Sequence, residues 1–171
     1  MRTQIRCGEW EHAGHSPRWS PNASTLAFIH ADDDGVDQVW MWHRHTQAAA
    51  PISHLPQTCS WPTWSPDGTL LAFLSNSQLW VFDTENETST ALTFSYEAIA
   101  PPCWLPDSRH IVFPSSHNMG SVTHVWQCLA QPPSPFLNTA PPTLLYANLG
   151  PIRALASAPN GTALAWIGHD R

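Results

Sequence analysis

Short apolar runs alternate with polar turns along this chain, and one such pattern recurs. In its best-formed copy, the turn Pro66-Asp67-Gly68 follows Trp64 and precedes the apolar run Leu71-Ala72-Phe73. Proline presets φ, aspartate bonds the local backbone and glycine accepts a positive φ, so this triplet predicts a tight turn. The run after the turn is short and apolar throughout, which indicates a strand that is buried on both faces.

Three other segments carry the same pattern. Each keeps proline, then aspartate or asparagine, then a small residue, and each ends in an aliphatic residue, alanine or valine, and an aromatic residue. The four copies are Trp19–Phe28, Trp64–Phe73, Trp104–Phe113 and Ser157–Trp166. They begin 45, 40 and 53 residues apart, at or near the length of one four-stranded blade of a β-propeller. The residues predicted to build the repeated turn are Trp19, Pro21, Asn22, Trp64, Pro66, Asp67, Gly68, Trp104, Pro106, Asp107, Pro159, Asn160 and Gly161.

Two further strands can be placed in each repeat. A matching third strand is predicted at Val39–Trp42, Leu79–Phe82 and Val125–Cys128. A fourth strand is marked by Ile52, Leu92 and Leu145, each of which lies 12 residues before the first residue of the next copy. We name the strands A to D in chain order, with the Pro-Asp-Gly turn between A and B. The sequence therefore predicts an all-β fold, a β-propeller of four-stranded antiparallel blades.

The repeat also predicts how the chain is divided. The expected units are a lead-in with a lone outer strand (1–15), three complete blades (16–56, 57–97 and 98–149) and a partial fourth blade (150–171). The lone strand is placed at Thr3–Cys7, because Cys7 lies 12 residues before Trp19 and so matches the D-strand offset. With only strands A and B in the fourth copy, we expect an incomplete ring that exposes a strand edge open to pairing with another chain.

The repeat resembles a known family. Trp64–Gly68, Leu71–Ser75 and Leu79–Asp83 are similar to the TolB-type propeller repeat, a WD-like repeat with a Trp-Ser-Pro-Asp-Gly turn followed by Leu-Ala-Phe. The resemblance extends from about Ser16 to Gly168. It implies the propeller fold but no single function, because similar repeats occur in periplasmic TolB and in the propeller domains of prolyl-oligopeptidase-like proteases.

Composition narrows the classes of partner. The chain has 171 residues, of which 42% are hydrophobic and 12% charged, and its formal net charge is −6. Nucleic acids and anionic membranes favour clustered Lys and Arg, so neither is expected as a partner. The first residues lack the apolar run of a signal peptide. That favours the cytoplasm, whereas the resemblance to TolB leaves the periplasm open.

Two polar clusters are candidate metal sites. Asp32, Asp34 and Asp37 offer carboxylates around a glycine, and calcium prefers such oxygen ligands. An ordinary turn between strands B and C explains the same residues, and we expect no tight calcium site there. His43 and His45 alternate along an extended segment, but no third ligand is indicated, so a polar turn between strands C and D is expected instead. No metal and no cofactor is predicted.

Tryptophan and cysteine positions carry further expectations. Seven of the ten Trp recur at equivalent positions, which indicates packing between blades, whereas Trp10, Trp42 and Trp61 are candidates for exposed contacts. Trp64 is predicted to be buried, with Trp64→Ala costing about 3–5 kcal/mol. The four cysteines lack CxxC spacing and are expected to be reduced or buried thiols, with a disulfide or a zinc site as the alternatives.

Function has to be argued from a site, because the propeller fold serves many functions. No Gly-x-Ser-x-Gly motif is present, so the chain is not expected to be an enzyme. The favoured function is a scaffold for protein–protein interaction with a protein partner, and self-association through the incomplete blade is a further expectation. The alternatives are an accessory propeller domain, or fragment, of a larger prolyl-oligopeptidase-like serine hydrolase, and a small-ligand-binding propeller.

Overall fold

The described part of the chain is built from strands and turns. The structure is a computed structural model that describes residues 14–93, 97–116, 122–130 and 141–168. The lone strand predicted at Thr3–Cys7 lies outside these residues. None of the described segments forms a helix long and apolar enough to cross a membrane.

Fourteen strands form four antiparallel sheets in the described residues. The first sheet contains β1 (His15–Trp19), β2 (Thr25–Ala31), β3 (Asp37–His43) and β4 (Ala49–Pro51). The second contains β5 (Cys59–Trp64), β6 (Leu70–Ser75), β7 (Gln78–Asp83) and β8 (Thr88–Ala91). The third contains β9 (Cys103–Trp104), β10 (His110–Ser116), β11 (Thr123–Leu129) and β12 (Thr143–Leu149). The fourth contains β13 (Ile152–Ser157) and β14 (Leu164–Gly168).

Each strand pairs with its neighbour along the chain, so every sheet is a simple meander. Three sheets have the four strands A to D, and the fourth has A and B alone among the described residues. This confirms the all-β architecture of three complete blades plus a partial one in an unclosed array. The blade boundaries drawn from the sequence remain predictions.

The B strands of the second and third sheets are apolar at their centres because both of their faces are covered. We call the face turned towards the next sheet in chain order the forward face, and the opposite one the backward face. In the first sheet, Ala27 and Ile29 lie on the forward face and pack against Leu71 and Phe73 on the backward face of the second sheet. The second sheet meets the third in the same way, through Ala72 and Leu74 against Ile111 and Phe113. Alternate residues of one strand therefore serve two different interfaces.

The residues predicted to mark strand D, Ile52 and Leu92, extend the sheet by one more backbone bond, and the hydroxyl residue after each adds a side-chain bond. β4 and β8 end just before them, yet the N–H of Ile52 still donates to the carbonyl of Val39 at 2.9 Å. One residue on, the hydroxyl of Ser53 accepts the N–H of Val39 at 2.8 Å. Thr93 accepts the N–H of Leu79 in the second sheet at 2.9 Å. Both hydroxyl residues are buried, so they satisfy backbone donors at the outer edges of the first two blades.

Candidate functional site

The A–B turn is held by one acidic side chain. In the second sheet, Oδ1 of Asp67 accepts hydrogen bonds from the hydroxyl of Ser65 at 2.6 Å and from the N–H and hydroxyl of Thr69 at 3.1 and 2.9 Å. The N–H of Gly68 donates to the carbonyl of Ser65 at 2.9 Å, and Gly68 has a φ of 77°. Glycine adopts that conformation without steric cost. The turn predicted from Pro66-Asp67-Gly68 thus has its physical cause in these bonds.

The other three copies repeat this geometry with different residues. Asn22 and Asn160 accept the N–H of the residue two positions on through an amide oxygen, and Asp107 does so through a carboxylate. The glycine position is Ala23 in the first sheet and Ser108 in the third, and both have a positive φ. Pro21, Pro106 and Pro159 occupy the proline position. All four copies therefore form the same turn despite their substitutions.

Two of the turns carry a carboxylate whose charge is stabilised. Burial opposes ionisation of Asp67, but hydrogen bonds from Ser65 and Thr69 outweigh it and lower the pKa of this carboxyl. Burial also opposes ionisation of Asp107, but hydrogen bonds outweigh it and lower the pKa of this carboxyl. The main one involves His110, whose Nδ1 lies 2.6 Å from Oδ2 of Asp107. These acids are ionised and occupied by local donors, which makes them structural groups.

A hydrogen bond from the Trp at the end of strand A joins consecutive sheets. Nε1 of Trp64 donates to the carbonyl of Arg18, and Nε1 of Trp104 to the carbonyl of Thr63, both at 3.0 Å. Ser157 replaces Trp in the fourth sheet, and its hydroxyl donates to the carbonyl of Trp104 at 2.7 Å. The interblade role predicted for these positions is therefore visible as a specific bond.

The turns themselves stack from sheet to sheet. A Cβ added to Gly68 would lie 3.3 Å from Cδ of Pro21, and one added to Gly161 would lie 3.6 Å from Cδ of Pro106. The N–H of Asp67 donates to the hydroxyl of Ser108 at 3.1 Å. The turn proline of one sheet thus contacts the glycine of the next, and the turns line one end of the array.

A cleft of about 490 Å³ opens at this end between the first and second sheets. Its lining comprises Ser20, Asn22, Ser24, Thr25, Met41, His43, Ala50, Pro51, Ile52, His54, Trp64, Gly68, Phe82, Thr84 and Glu87. The corresponding space between the second and third sheets measures about 150 Å³. In that space, Leu70 of the second sheet takes the repeat position of Thr25 in the first. Ser108 of the third sheet takes the position of Gly68 in the second. Smaller side chains on both walls therefore account for the larger cleft.

The cleft corrects the prediction that Trp64 is buried. Trp64 packs against the core between the first two sheets but is only partly buried, because one side of its ring lines the cleft. Its counterpart Trp104 lies in the core between the second and third sheets and is buried. The expected cost of Trp64→Ala falls accordingly, and Trp104 takes its place as the buried anchor.

The forward face of the fourth sheet is the largest departure from the repeat. Ile29 and Leu74, on the forward faces of the first two sheets, are 0% and 2% exposed, whereas Ile167 at the same position is 69% exposed. The pairs Ala154↔Ile167 and Ala156↔Ala165 place three alanines beside it, and all three are exposed. We call these four residues the open face. It is apolar and is uncovered by any described part of the chain.

The acidic cluster forms a turn. Oδ1 of Asp32 accepts the N–H groups of Asp34 and Val36 at 3.1 and 2.9 Å, and these bonds lower its pKa. Asp37 lies 3.7 Å from Nε2 of His15. The structure thus separates the roles of the three candidate ligands Asp32, Asp34 and Asp37, and the absence of a calcium site stays a prediction.

His43 and His45 lie where strand C ends and the C–D turn begins. Within the described residues, no group of three or more His, Cys, Asp or Glu side chains is arranged to hold a metal ion. The structure instead brings His54, a residue that the sequence did not single out, to the same cleft as His43. Its place could not be read from spacing, because His54 lies beyond strand D.

The described cysteines are unpaired thiols. Cys59 and Cys128 are buried, and Cys103 is partly buried. Burial raises the pKa of Cys59, and it raises the pKa of Cys128 to about 12. A thiol that holds its proton is a poor nucleophile. Sγ of Cys103 accepts the N–H of Ser157 at 3.1 Å and so contributes to the contact between the third and fourth sheets.

Two expectations about tryptophan are wrong. Trp42 was a candidate for exposure but is buried, and its ring meets that of Trp19 edge-on with centroids 6.0 Å apart. Trp19 and Trp166 occupy repeat positions yet are exposed. Trp61 is exposed as expected, and Trp10 lies outside the described residues. Repeat position therefore sets the direction of a side chain, and a neighbouring sheet sets its burial.

The comparisons with known proteins bear on the same repeat. The sequence model described as the TolB beta propeller domain matches residues 9–128. The chain belongs to this family. A stretch of 97 residues is 31% identical to the Tol-Pal system protein TolB of Nitratidesulfovibrio vulgaris (strain Hildenborough), a match that covers 54% of this chain and 22% of the relative.

The chain is similar to proteins of different kinds. A stretch of 106 residues is 27% identical to the uncharacterized peptidase YuxL of Bacillus subtilis (strain 168), over 56% of this chain and 16% of the relative. The crystal structure of TolB from Acinetobacter baumannii superposes with a TM-score of 0.67 at 18% identity, over 92% of this chain and 38% of that one. That likeness shows the fold. The matches span less than half the length of each of these proteins.

Proposed function

We propose that the chain is a non-catalytic propeller scaffold that binds a protein partner through the open face. The observation that carries this proposal is the exposure of Ile167, whose counterparts Ile29 and Leu74 are buried by a following sheet. A contiguous apolar patch on a protein surface favours contact with another protein. The partner that fits best is a further sheet of the same kind, because backward faces of the repeat cover the forward faces of the first three sheets.

The backbone supports the same partner. The carbonyl of Ala156 holds the position at which Arg18 and Thr63 accept the indole N–H of the following sheet. A Trp at the end of strand A in a docked blade would donate there. Hydrogen bonds of this kind add specificity to an apolar contact.

The non-catalytic part of the proposal has support in the turns. The polar side chains that recur in every copy hold the backbone, as Asp67 does with three donors. A side chain occupied in this way is a structural group and not a general acid or base for a substrate.

The test is light scattering during size-exclusion chromatography, on the full chain and on Ile167→Glu. We expect the unmodified chain to associate as its concentration rises and Ile167→Glu to remain near the monomer mass. Leu129→Glu is the matched control, since Leu129 is also exposed but lies on the third sheet. A monodisperse 19.0 kDa monomer that unfolds cooperatively without the substitution would contradict the proposal.

A second candidate rests on the match to YuxL, which is called a peptidase. In that case the chain is an accessory propeller domain of a larger serine hydrolase, and the open face receives the next blade of the same polypeptide. Sequencing the native transcript beyond the codon of Arg171 separates the two candidates. A downstream segment with Gly-x-Ser-x-Gly supports the second, and a stop codon there supports the first.

A further inference from the structure

The cleft between the first and second sheets has the size of a ligand site. Small-molecule and peptide pockets commonly measure about 300–1,000 Å³, and this cleft measures about 490 Å³. It arises from a local substitution, Thr25 and Gly68 in place of Leu70 and Ser108, and the next interface lacks it. It is also separate from the open face, so it is independent of the proposed function.

The floor of the cleft is apolar. Met41 and Phe82 are buried at its base, and the partly buried ring of Trp64 forms one side. The indole N–H of Trp64 is already bonded to Arg18, so Trp64 offers the cleft only its apolar surface. An aliphatic side chain inserted between these residues would be removed from water, which favours binding.

The rim of the cleft offers hydrogen-bond donors. His43 is exposed there, and Arg44 and His45 lie in the adjoining depression. His54 lines the cleft farther along the sheet, next to Ser53, whose hydroxyl accepts the N–H of Val39. Among the described residues, none of the side chains of His43, Arg44 and His54 makes a hydrogen bond or an ion pair. Glu87 is the one carboxylate that lines the cleft, on the wall formed by the second sheet. In a chain with 7 basic and 13 acidic residues, this rim gathers imidazole and guanidinium groups.

The hydroxyl groups of the lining are used within the protein. Ser20 and Ser24 donate to Oδ1 of Asn22 at 2.8 and 2.7 Å, and Thr84 donates to the carbonyl of Thr69 at 2.8 Å. Apart from the amide NH2 of Asn22, the unused donors are therefore the imidazole and guanidinium groups of the rim. Such donors make their strongest hydrogen bonds to a carboxylate.

We propose that this cleft binds a peptide segment that carries a carboxylate next to an aliphatic side chain. The carboxylate lies at the rim beside His43 and Arg44, and the aliphatic side chain rests on Met41, Phe82 and Trp64. The C-terminus of a protein that ends in an aliphatic residue has this chemistry, and so does an acidic side chain beside one.

The experiment titrates the full chain with three short peptides, and binding is followed by the NMR signals of the His43 imidazole, the Arg44 guanidinium and the Trp64 indole. One peptide ends in Leu with a free carboxylate, the second is its amide, and the third places Glu beside Leu under a C-terminal amide. We expect saturable shifts with the first or the third, which identifies the source of the carboxylate, and binding about tenfold weaker with the second, since it lacks one charge-assisted bond. Equal binding of the amide, or no saturable shift with any peptide, overturns the proposal.

Variants of the chain test whether the peptides bind in this cleft. His43→Ala and Arg44→Ala are each expected to weaken binding about tenfold. His15→Ala, an exposed histidine at the start of β1 and at the opposite end of the sheet, should leave binding unchanged. Thr25→Leu copies Leu70 of the second sheet and is expected to fill the cleft and abolish binding while the melting temperature shows that the chain folds. Undiminished binding by Thr25→Leu, or an equal loss with His15→Ala, contradicts the assignment.

Discussion

The second and fourth sheets carry the same repeat in opposite circumstances. The second is covered on both faces, so Phe73 at the aromatic position of its B strand is 0% exposed. The fourth is covered on its backward face alone, so Ile167 on its forward face is 69% exposed. On the backward face, Trp166 takes the position of Phe73 and is 38% exposed, with its ring 5.3 Å from that of Tyr146. The turn bonds of the two sheets are nevertheless alike. Local chemistry therefore forms the strands and turns, and burial depends on what stands next to each sheet.

The largest expected effect compares these two aromatic residues. Phe73→Ala should lower the free energy of unfolding by about 3–5 kcal/mol, because it leaves a cavity between two sheets. Trp166→Ala removes a larger side chain but from a partly exposed position, so we expect about 1 kcal/mol. Urea unfolding followed by circular dichroism measures both changes. Equal costs would mean that Trp166 is as fully enclosed in solution as Phe73.

The Trp position at the end of strand A gives the next largest effect. Trp104→Ala should cost about 3–5 kcal/mol, since the buried ring and its bond to Thr63 are both lost. Trp64→Ala should cost about 1–3 kcal/mol, because part of its ring already faces the cleft. A chain in which Trp64 is the more costly of the two would show that the cleft closes in solution.

The acid dependence of the turns separates the second sheet from the fourth. Asp67 has a lowered pKa in the folded chain, so it stabilises the fold above its ordinary pKa, and that stabilisation is lost as the pH falls from about 5 through the folded value. Asp67→Asn should leave the free energy of unfolding nearly unchanged at pH 7, since Asn160 holds the same turn in the fourth sheet. At acid pH, the stability of this variant should fall less steeply than that of the unmodified chain. Thermal melts across the acid range measure this, with Asp107→Asn as a parallel case. If both variants lose stability at low pH as steeply as the unmodified chain, these carboxylates are not the cause of that loss.

Sequence reasoning succeeded where the cause is local and failed where it lies across an interface. The turn at Pro66-Asp67-Gly68 and the apolar strand after it follow from residues a few positions apart, and both could be predicted. The burial of Trp42 and the exposure of Trp19 depend on neighbouring elements that the repeat does not encode. Even so, Thr25 against Leu70 and Gly68 against Ser108 are differences visible when the copies are aligned, and they could have indicated the cleft.

The smallest expected effect restores a bond that the fourth sheet lacks. In the first two sheets, the serine after Trp donates to the turn Asn or Asp and accepts the N–H that opens strand B, as Ser65 does with Asp67 and Leu70 at 2.6 and 3.0 Å. The fourth sheet has Ala158 at this position. Its carbonyl and N–H make the usual turn bonds to Gly161 and Ala163 at 2.8 Å, so the backbone is already in place for a serine.

Ala158→Ser should therefore raise the free energy of unfolding by about 0.5–1 kcal/mol, through new bonds to Asn160 and to the N–H of Ala163. Ser65→Ala is the matched opposite change and should lower it by at least as much, since it leaves buried donors without a partner. Urea unfolding of both variants measures the pair. If Ser65→Ala lowers the free energy of unfolding and Ala158→Ser does not raise it, the turn of the fourth sheet does not contribute to the cooperative unfolding of the chain. In that case the fourth sheet differs from the second both in the burial of its side chains and in the stability of its backbone turn.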